Sequence, residues 1–228
     1  MIRIRPLIAT ILLASLLSGS ALADAPGDAL KAAVGKTAVA KTAKVAVKTH
    51  TESANRVLDA QISGTLARGD SDLVSTGEGG NARRVAVGTA VYDRRPEPGG
   101  AWRQSTRSVP ADQSALGPLA LKDGTSLGDP KLYRALTDLG SETLPQGDTR
   151  KLSGELDMAA VAAAMQLGPS DAARLQQMQG TVTVWIGPDG RVARHSVRLV
   201  VPGTGGPTTL ETTADLTDLD APLVITPP

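Results

Sequence analysis

Polar and apolar residues alternate along most of this chain, and such alternation is typical of β-strands that bury one face. The predicted strands cover residues 44–51, 57–66, 73–76, 84–93, 102–106, 142–144, 150–156, 181–186, 191–201 and 208–216. Most neighbouring strands are joined by short segments rich in glycine, proline and aspartate, which are typical of tight turns. Connections this short cannot form parallel crossovers, so the sequence predicts antiparallel strands.

Helical periodicity appears in two parts of the chain. Leu30, Val34 and Ala38 lie on one face of a predicted helix that begins at a cap on Asp28 and ends near residue 42. Three further helices are predicted in the middle of the chain. They cover residues 130–139, 158–167 and 169–179.

These elements follow one another as a helix, several strands, a helical insertion and several more strands. The order lacks the regular strand–helix–strand alternation of parallel sheets, so it predicts an α+β fold with one long antiparallel sheet. We expect this sheet to curve over the helices and to leave room for a pocket between the two layers. Residues 24–228 are predicted to form a single domain.

Residues 1–23 have the three parts of a secretory signal peptide. Arg3 and Arg5 form a basic start, residues 7–17 are mostly apolar, and Ala21-Leu22-Ala23 is a small-residue cleavage site. A membrane anchor is disfavoured, because a spanning helix needs roughly 20 apolar residues. We therefore predict cleavage after Ala23 and a secreted or otherwise extracytoplasmic protein of the cell envelope.

One detail of this segment concerns lipid attachment. Leu17-Ser18-Gly19 is similar to the start of a bacterial lipobox, but Ser20 stands where the lipidated cysteine would be, and the chain contains no cysteine. A serine hydroxyl is a far weaker nucleophile than a thiolate. We therefore expect a protein that is not lipidated.

Composition narrows the chemistry further. The chain has no cysteine, no phenylalanine, two tryptophans and two tyrosines, so its core must be built from small aliphatic side chains. The absence of cysteine excludes disulfides and thiol catalysis. The 24 basic and 23 acidic residues are balanced, and this balance disfavours nucleic-acid binding.

The charges are nevertheless unevenly distributed. Lysines are concentrated in residues 31–48, whereas residues 211–228 carry acidic residues and no basic one. Two arrangements agree with this pattern: a basic face for anionic lipid headgroups, or two segments that lie side by side and neutralise each other. We favour the second arrangement, because a run of charges is most often a solvated face.

Three stretches resemble one protein family. The sequence TVTVWIGPDGRVAR at residues 181–194 is similar to the penultimate hairpin of LppX/LprG-type lipoproteins, which belong to the LolA-like lipoprotein-carrier superfamily. LSGELD at residues 152–157 resembles the strand that leads into the family's inserted helices, and residues 30–42 resemble its N-terminal helix. The order of elements also agrees, so the resemblance extends over most of residues 27–226.

The resemblance implies a half-barrel of antiparallel sheet wrapped around a few helices. Family members use the apolar space inside it to carry acyl chains of lipids or lipoproteins through an aqueous compartment. We therefore expect a secreted, non-catalytic carrier or binder of a hydrophobic acylated ligand, monomeric, without a cofactor, and in transient contact with the envelope membrane at most. The predicted ligand-binding side chains are Val85, Val87, Val91, Trp102, Leu152, Val182, Val184 and Ile186.

Two other functions agree with parts of the sequence. The first is a protein-interaction module on the same scaffold, in which the outer face of the sheet, or an edge formed by residues 208–216, binds an envelope partner. The second is a serine hydrolase, because residues 124–128 match the G-x-S-x-G motif with Ser126 as the nucleophile. We disfavour the hydrolase, since a turn precedes this motif and a new helix cap follows it, where the motif needs a strand and a helix.

The remaining polar residues do not form a recognisable catalytic or metal site. The chain order of a hydrolase triad is completed by His195, which lies within a predicted strand, and by Asp157, Asp171 or Asp189. We expect both His50 and His195 on the surface, and neither has a second ligand at zinc spacing. We therefore expect no catalytic residue and no metal. The acidic residues closest to a calcium-like spacing lack a glycine-hinged loop; they are Asp215, Asp218 and Asp220.

Overall fold

The computed structural model describes residues 25–67, 69–94, 100–106 and 127–228. The predicted signal peptide lies outside the described residues, as does Ser126 of the G-x-S-x-G motif. The first described part contains α1 (Pro26–Ala38), β1 (Thr42–Ser53), β2 (Arg56–Ala67), β3 (Asp70–Gly77), β4 (Gly80–Val87), β5 (Ala90–Arg94) and β6 (Arg103–Thr106). The second contains a 3-10 turn (Pro130–Leu132), β7 (Tyr133–Leu144), β8 (Gly147–Leu156), α2 (Met158–Ala164), α3 (Pro169–Gln176), β9 (Gln179–Ile186), β10 (Val192–Val201) and β11 (Thr208–Thr217).

The strands form one 11-stranded antiparallel sheet in the order β6-β5-β4-β3-β2-β1-β11-β10-β9-β8-β7. Neighbours in the sheet are also neighbours along the chain, except that β1 pairs with β11. The sheet is open and curved, and it wraps around the helices. The predicted α+β fold with a long curved antiparallel sheet is therefore confirmed.

The position of β11 corrects one expectation. The interaction hypothesis places an edge strand at residues 208–216, but β11 lies at the centre of the sheet, bonded to β1 on one side and to β10 on the other. Within the described residues the edges of the sheet are β6 and β7. A partner that adds a strand to this sheet would have to pair with one of these two.

The helix predicted over residues 130–139 is wrong. Asp129 does accept a hydrogen bond from the backbone amide of Lys131, as an N-cap would, but the chain makes only the short 3-10 turn before it enters β7. The register of β7 against β8 shifts twice, once near Tyr133 and once between Asp138 and Ser141. Each shift interrupts the alternation that would have marked a strand in the sequence. Pairing with β8 therefore outweighs a local helix signal.

Other boundaries follow local backbone chemistry. Residues 84–93 form two strands rather than one, because Gly88 adopts a φ of 56° in the tight turn between β4 and β5. Asp157 is the N-cap of α2, since its carboxylate accepts from the amides of Ala159 and Ala160 at 3.0 and 3.3 Å. Helix α1 begins at Pro26, ahead of the predicted cap at Asp28.

The strand register divides the side chains between two faces of the sheet, because cross-strand partners point to the same side. We call the side that meets the helices the inner face. Leu152 of β8 and Val184 of β9 are cross-strand partners on this face, and both pack with Leu30 and Val34 of α1. The hydrophobic core therefore lies between the helices and the β7–β11 half of the sheet.

Thr37 fastens α1 to the sheet. Its side chain is fully buried, and its hydroxyl donates to the carbonyl of Ala33 at 2.7 Å. The same oxygen accepts the backbone amide of Val192 at 2.8 Å. This amide begins β10, so one hydroxyl satisfies two buried polar groups at the contact between helix and sheet.

The lysine-rich and aspartate-rich segments lie side by side, as the favoured arrangement predicts. Lys44 Nζ lies 2.7 Å from the Asp218 carboxylate, and the backbone amide of Lys41 donates to Asp220 at 2.8 Å. That amide, together with the guanidinium of Arg191 at 2.6 Å, lowers the pKa of Asp220 below its ordinary value. The mutual neutralisation is confirmed for these residues.

Candidate ligand groove on the inner face

Five of the eight predicted ligand-binding residues lie on the inner face. Leu152, Val182, Val184 and Ile186 are buried in the core beneath the helices, where they pack against one another. Val91 of β5 is on the same face, because it pairs with Ala86 and, through it, with Ser71. Four of the five are thus core side chains in this structure.

The other three residues point to the outer face. Val85 pairs with Asp72 and Tyr92, and Val87 lies two positions further along the same strand. Trp102 packs beneath the guanidinium of Arg83, which stands on the outer face, with 5.8 Å between the guanidinium carbon and the ring centre. The eight residues therefore do not form one surface, and their role in ligand binding stays a prediction.

The inner face has a second part that lies beyond the helices. The principal helix contacts within the described residues are with β7, β9, β10, the 3-10 turn and one another, and no helix makes comparable contact with β2–β6. A groove of about 460 Å³ lies on this part of the sheet. It is lined by Ile62, Leu73, Ser75, Ala82, Arg83, Arg84, Asp93, Arg94, Arg103 and Ser105.

Apolar side chains form the floor of this groove. Ile62 of β2 is 39% exposed, and Leu73 of β3 and Ala82 of β4 are partly buried. Ile62 pairs with Ser75, and Ser75 pairs with Ala82, so these side chains stand on the inner face on adjacent strands. The groove thus offers apolar contact area that no helix covers in the described part of the chain.

Charged side chains occupy the end of the groove nearest to β6. Asp93 of β5 pairs in register with Arg84 of β4 on one side and with Arg103 of β6 on the other. Arg84 Nε donates to Asp93 at 2.7 Å. Among the described residues, no carboxylate forms an ion pair with Arg94 or Arg103. On the inner face at this end, Arg84 and Arg103 flank the single aspartate, so the end carries a net positive charge.

The register joins the charged end to the hydrophobic core. A single row of cross-strand partners runs over the inner face from β6 to β11. In order, it consists of Arg103, Asp93, Arg84, Leu73, Gly64, Val45 and Leu216. Its first members are charged, its middle is apolar and partly exposed, and its last member is buried in the core.

Gly64 leaves the middle of this row without a side chain. Its φ is 155°, and a Cβ built at this position would collide with the backbone carbonyl of Asp72 on β3. Strands β2 and β3 therefore approach each other so closely here that a side chain has no room. The inner face has a gap between Leu73 and Val45 as a result.

Sequence reasoning missed this groove. The sequence predicts a strand that begins at Arg84, yet Arg83 and Arg84 both stand in the interior of β4, on opposite faces. Ile62 and Leu73 were recognised only as strand residues, and Arg103 was assigned no role. The turn between β3 and β4 could have revealed it. Glu78-Gly79 is a two-residue turn, and such a turn fixes which residues of β4 lie opposite which residues of β3, and therefore which side chains share a face.

His195 is not a surface residue, contrary to expectation. Its side chain has 0% exposure on the inner face of β10, between Val184 and Ala214. Neither ring nitrogen has a hydrogen-bond partner within the described residues. Burial lowers the pKa of His195 to about 4, and the nearby Asp215 carboxylate opposes this shift only partly. The imidazole is therefore neutral at neutral pH.

The candidate triad residues are engaged elsewhere. Asp157 caps α2, and Asp189 accepts the backbone amide of Arg191 at 3.0 Å in the turn before β10. Neither carboxylate hydrogen-bonds to His195. The described residues that follow the G-x-S-x-G motif form a 3-10 turn and an antiparallel strand instead of the helix that a nucleophile elbow requires.

The three C-terminal aspartates each pair with a basic side chain. Asp215 accepts from Arg194 at 2.6 Å, and Asp218 and Asp220 pair with Lys44 and Arg191. Within the described ranges, no group of three or more histidine, aspartate and glutamate side chains is arranged to hold a metal ion.

Comparisons with known proteins place this fold. The structure is similar to that of lipoprotein LppX from Mycobacterium tuberculosis, with a TM-score of 0.52 and 14% identity over 88% of this chain and 98% of LppX. It is also similar to LprF from Mycobacterium bovis, with a TM-score of 0.49 and 18% identity over 89% of this chain and 96% of LprF. A LolA superfamily protein from Nitrosomonas europaea matches with a TM-score of 0.28 and 10% identity over 89% of this chain and 93% of its own.

Sequence comparison adds nothing to this, since no family model and no curated protein matches the chain. At identities this low, the likeness to LppX concerns the fold. It agrees with the resemblance drawn from residues 152–157 and 181–194, which here form β8 with the cap of α2 and the β9–β10 hairpin. The chain therefore has a fold similar to that of LppX.

Proposed function

We propose that this protein is an extracytoplasmic, non-catalytic carrier or binder of a hydrophobic acylated ligand. The observation that carries the proposal is the uncovered part of the inner face. There, Ile62 and Leu73 expose apolar surface in a groove of about 460 Å³ that continues into the hydrophobic core along one row of side chains. We place the acyl chain of the ligand in this groove.

The physical basis is the transfer of methylene groups out of water. Each buried methylene contributes roughly 0.8 kcal/mol, so a chain that covers the floor of the groove gains enough to bind without any covalent link. An acyl chain also needs no polar partner, which agrees with a floor built from side chains such as Ile62, Leu73 and Ala82.

Two further observations support the proposal. The fold is that of LppX, a protein described as a lipoprotein. Residues 1–23 have the pattern of a cleaved signal peptide, and this pattern supports export of the mature protein from the cytoplasm. Within the described residues, no helix combines the length and the apolar character needed to cross a bilayer. We infer a monomer that contacts the membrane only while it exchanges ligand.

Native mass spectrometry of the protein purified from its own host tests the proposal directly. We expect an added mass that corresponds to an acylated molecule and that disappears after extraction with organic solvent. The stripped protein should then bind the methyl ester of a fluorescent fatty acid, a neutral acyl probe, below its aggregation concentration.

A pair of variants on one strand links this binding to the groove. Leu73→Asn puts an amide on the groove floor and should weaken binding of the ester. Val74→Asn changes the neighbouring residue, which is 37% exposed on the outer face, and should leave binding unchanged. The proposal is wrong if no lipid co-purifies and the stripped protein takes up no ester. An equal loss in both variants would show that the groove is not the binding site.

A further inference from the structure

We infer that the ligand carries an anionic headgroup, a carboxylate or a phosphate, which binds Arg84 and Arg103 at the β6 end of the groove. The acyl chain then lies across the strands toward Val45. This inference rests on the proposed function, and it adds the chemical class and the orientation of the ligand.

The charges of the groove support an anion. Arg84 and Arg103 stand on the inner face on either side of Asp93. Asp93 pairs with Arg84, so one carboxylate stands between two guanidinium groups. A second anion placed between Arg84 and Arg103 would restore the balance, and planar guanidinium groups bind carboxylate and phosphate oxygens in pairs.

The apolar row supports the orientation. From Arg84 the cross-strand partners are Leu73, Gly64 and Val45. Neighbouring strands lie about 4.8 Å apart, so these three steps cover about 14 Å of the inner face. Gly64 leaves a gap in the middle of this path, where a side chain would otherwise block an acyl chain. A head at the arginines and a tail over the gap therefore fit one amphiphilic molecule.

The location favours a single bound molecule over a membrane surface. The arginines Arg84 and Arg103 stand on the inner face of a sheet that curves around its helices. A flat bilayer cannot reach into this concave side while it also contacts the rim. The headgroup of an extracted molecule can do so, because its chain lies in the same groove.

The experiment compares two probes that differ only in charge. The stripped protein is titrated with a fluorescent fatty acid and with its methyl ester, both below their aggregation concentrations. We expect the acid to bind about 10-fold tighter than the ester, because exposed charge pairs contribute on the order of 1 kcal/mol each. This preference should shrink as the salt concentration rises.

Three variants assign the preference to its residues. Arg103→Gln should reduce affinity for the acid to nearly that for the ester and leave the ester unaffected. Asp93→Asn should strengthen binding of the acid, because it removes the competing carboxylate. Arg198→Gln is the matched control, since Arg198 is an exposed arginine on the outer face of β10 and lies outside the groove. Circular dichroism confirms that each variant is folded.

The outcomes separate this inference from the proposed function. If neither probe binds, the proposed function fails and the headgroup site with it. If acid and ester bind equally well, or if Arg198→Gln lowers affinity for the acid as much as Arg103→Gln, only the headgroup site is wrong. A third outcome would assign the arginines to a membrane surface instead. In that case the unaltered protein binds vesicles with roughly 20–30% anionic phospholipid, Arg103→Gln does not, and the acid binds no tighter than the ester.

Discussion

The inner face of this sheet has two halves that differ in their exposure to solvent. Under the helices, Leu152, Val182 and Val184 are at most 2% exposed and form the core. Across β2–β5, Ile62 and Leu73 occupy equivalent inward positions but retain contact with solvent. The strands in both halves alternate in the same manner, so the difference comes from the layer above them. The alternation of a strand therefore predicts which side chains face inward, but it does not predict whether protein or ligand covers them.

The two halves also differ in the charges they accept. The uncovered half carries Arg84, Asp93 and Arg103 on its inner face, where they remain in contact with water. In the covered half, the side chain of His195 is fully buried, and burial keeps it neutral at neutral pH. Desolvation thus decides which chemistry each half can hold.

Truncation of one core side chain should break the covered half. Leu152→Ala removes a side chain that is 1% exposed and should lower the free energy of unfolding by about 2–5 kcal/mol. Ile62→Ala, in the uncovered half, should cost less than about 1 kcal/mol because the residue already contacts water. Urea denaturation of both variants measures the contrast. Equal costs would mean that the two halves are packed alike.

The buried histidine should make the covered half sensitive to acid. The unfolded chain takes up a proton on His195 near pH 6.5, whereas the folded protein does so only near pH 4. Stability is therefore fully present above pH 6.5 and falls as the pH drops toward 4, by a total of about 3 kcal/mol from this group.

The variant His195→Leu isolates this contribution. The difference in unfolding free energy between His195→Leu and the unaltered protein should grow in favour of the variant from pH 7 to pH 4. His50→Leu is the control, because His50 is exposed on the outer face and its raised pKa predicts a pH trend of the opposite sign. A difference that does not change with pH would show that His195 is not buried in neutral form.

The close approach of β2 and β3 should be the sensitive point of the uncovered half. Gly64→Ala places a methyl group against the carbonyl of Asp72, and we expect a loss of about 2 kcal/mol or more. Gly35→Ala is the control within α1, where an added Cβ meets nothing within 4 Å and the helix gains propensity. Thermal melts of the two variants should move in opposite directions. A melt of Gly64→Ala that matches the unaltered protein would contradict the close approach.

The smallest effect concerns the outer face. His50 Nδ1 lies 2.8 Å from Asp59, and this hydrogen bond raises the pKa of His50 above its ordinary value of 6.5. Any stability from the pair is present below pH 6.5 and is lost as the pH rises through the raised pKa. Asp59→Asn should return the pKa of His50 toward 6.5 in an NMR titration. The His195 resonances recorded in the same spectra should move only near pH 4, and an unchanged His50 pKa would refute the pairing.

Much of the fold could be predicted from local patterns. Asp157 followed by an alanine-rich segment predicts the N-cap and start of α2, and the structure has both. The turn at residues 187–190 predicts the hairpin of β9 and β10. The start of β7 could not be predicted in the same manner, because Asp129-Pro130 is a genuine helix start that pairing with β8 overrides. Local signals predict structure correctly where no long-range strand pairing competes with them.

The candidate site was harder to predict from the sequence than the fold. The alternation of Leu152, Val182 and Val184 marks an inward face and predicts that they contact ligand; the structure places them in the core beneath the helices, and their role in binding stays a prediction. Val85 was grouped with them, although the register places it on the other side of the sheet. Arg103 and Ile62 line one groove only because the five consecutive strands β2–β6 keep a common register.

What the sequence determined by itself is the antiparallel sheet, its turns and several helix starts, since alternation, glycine turns and capping side chains act within a few residues. What only the tertiary structure decided is where the helices lie on that sheet and which strands share each face. Helix position depends on the sum of many weak contacts, such as those of Leu30 and Thr37 with β9 and β10, that no local pattern records. The groove with its arginines exists because those contacts place the helices over one half of the inner face and leave the other half open.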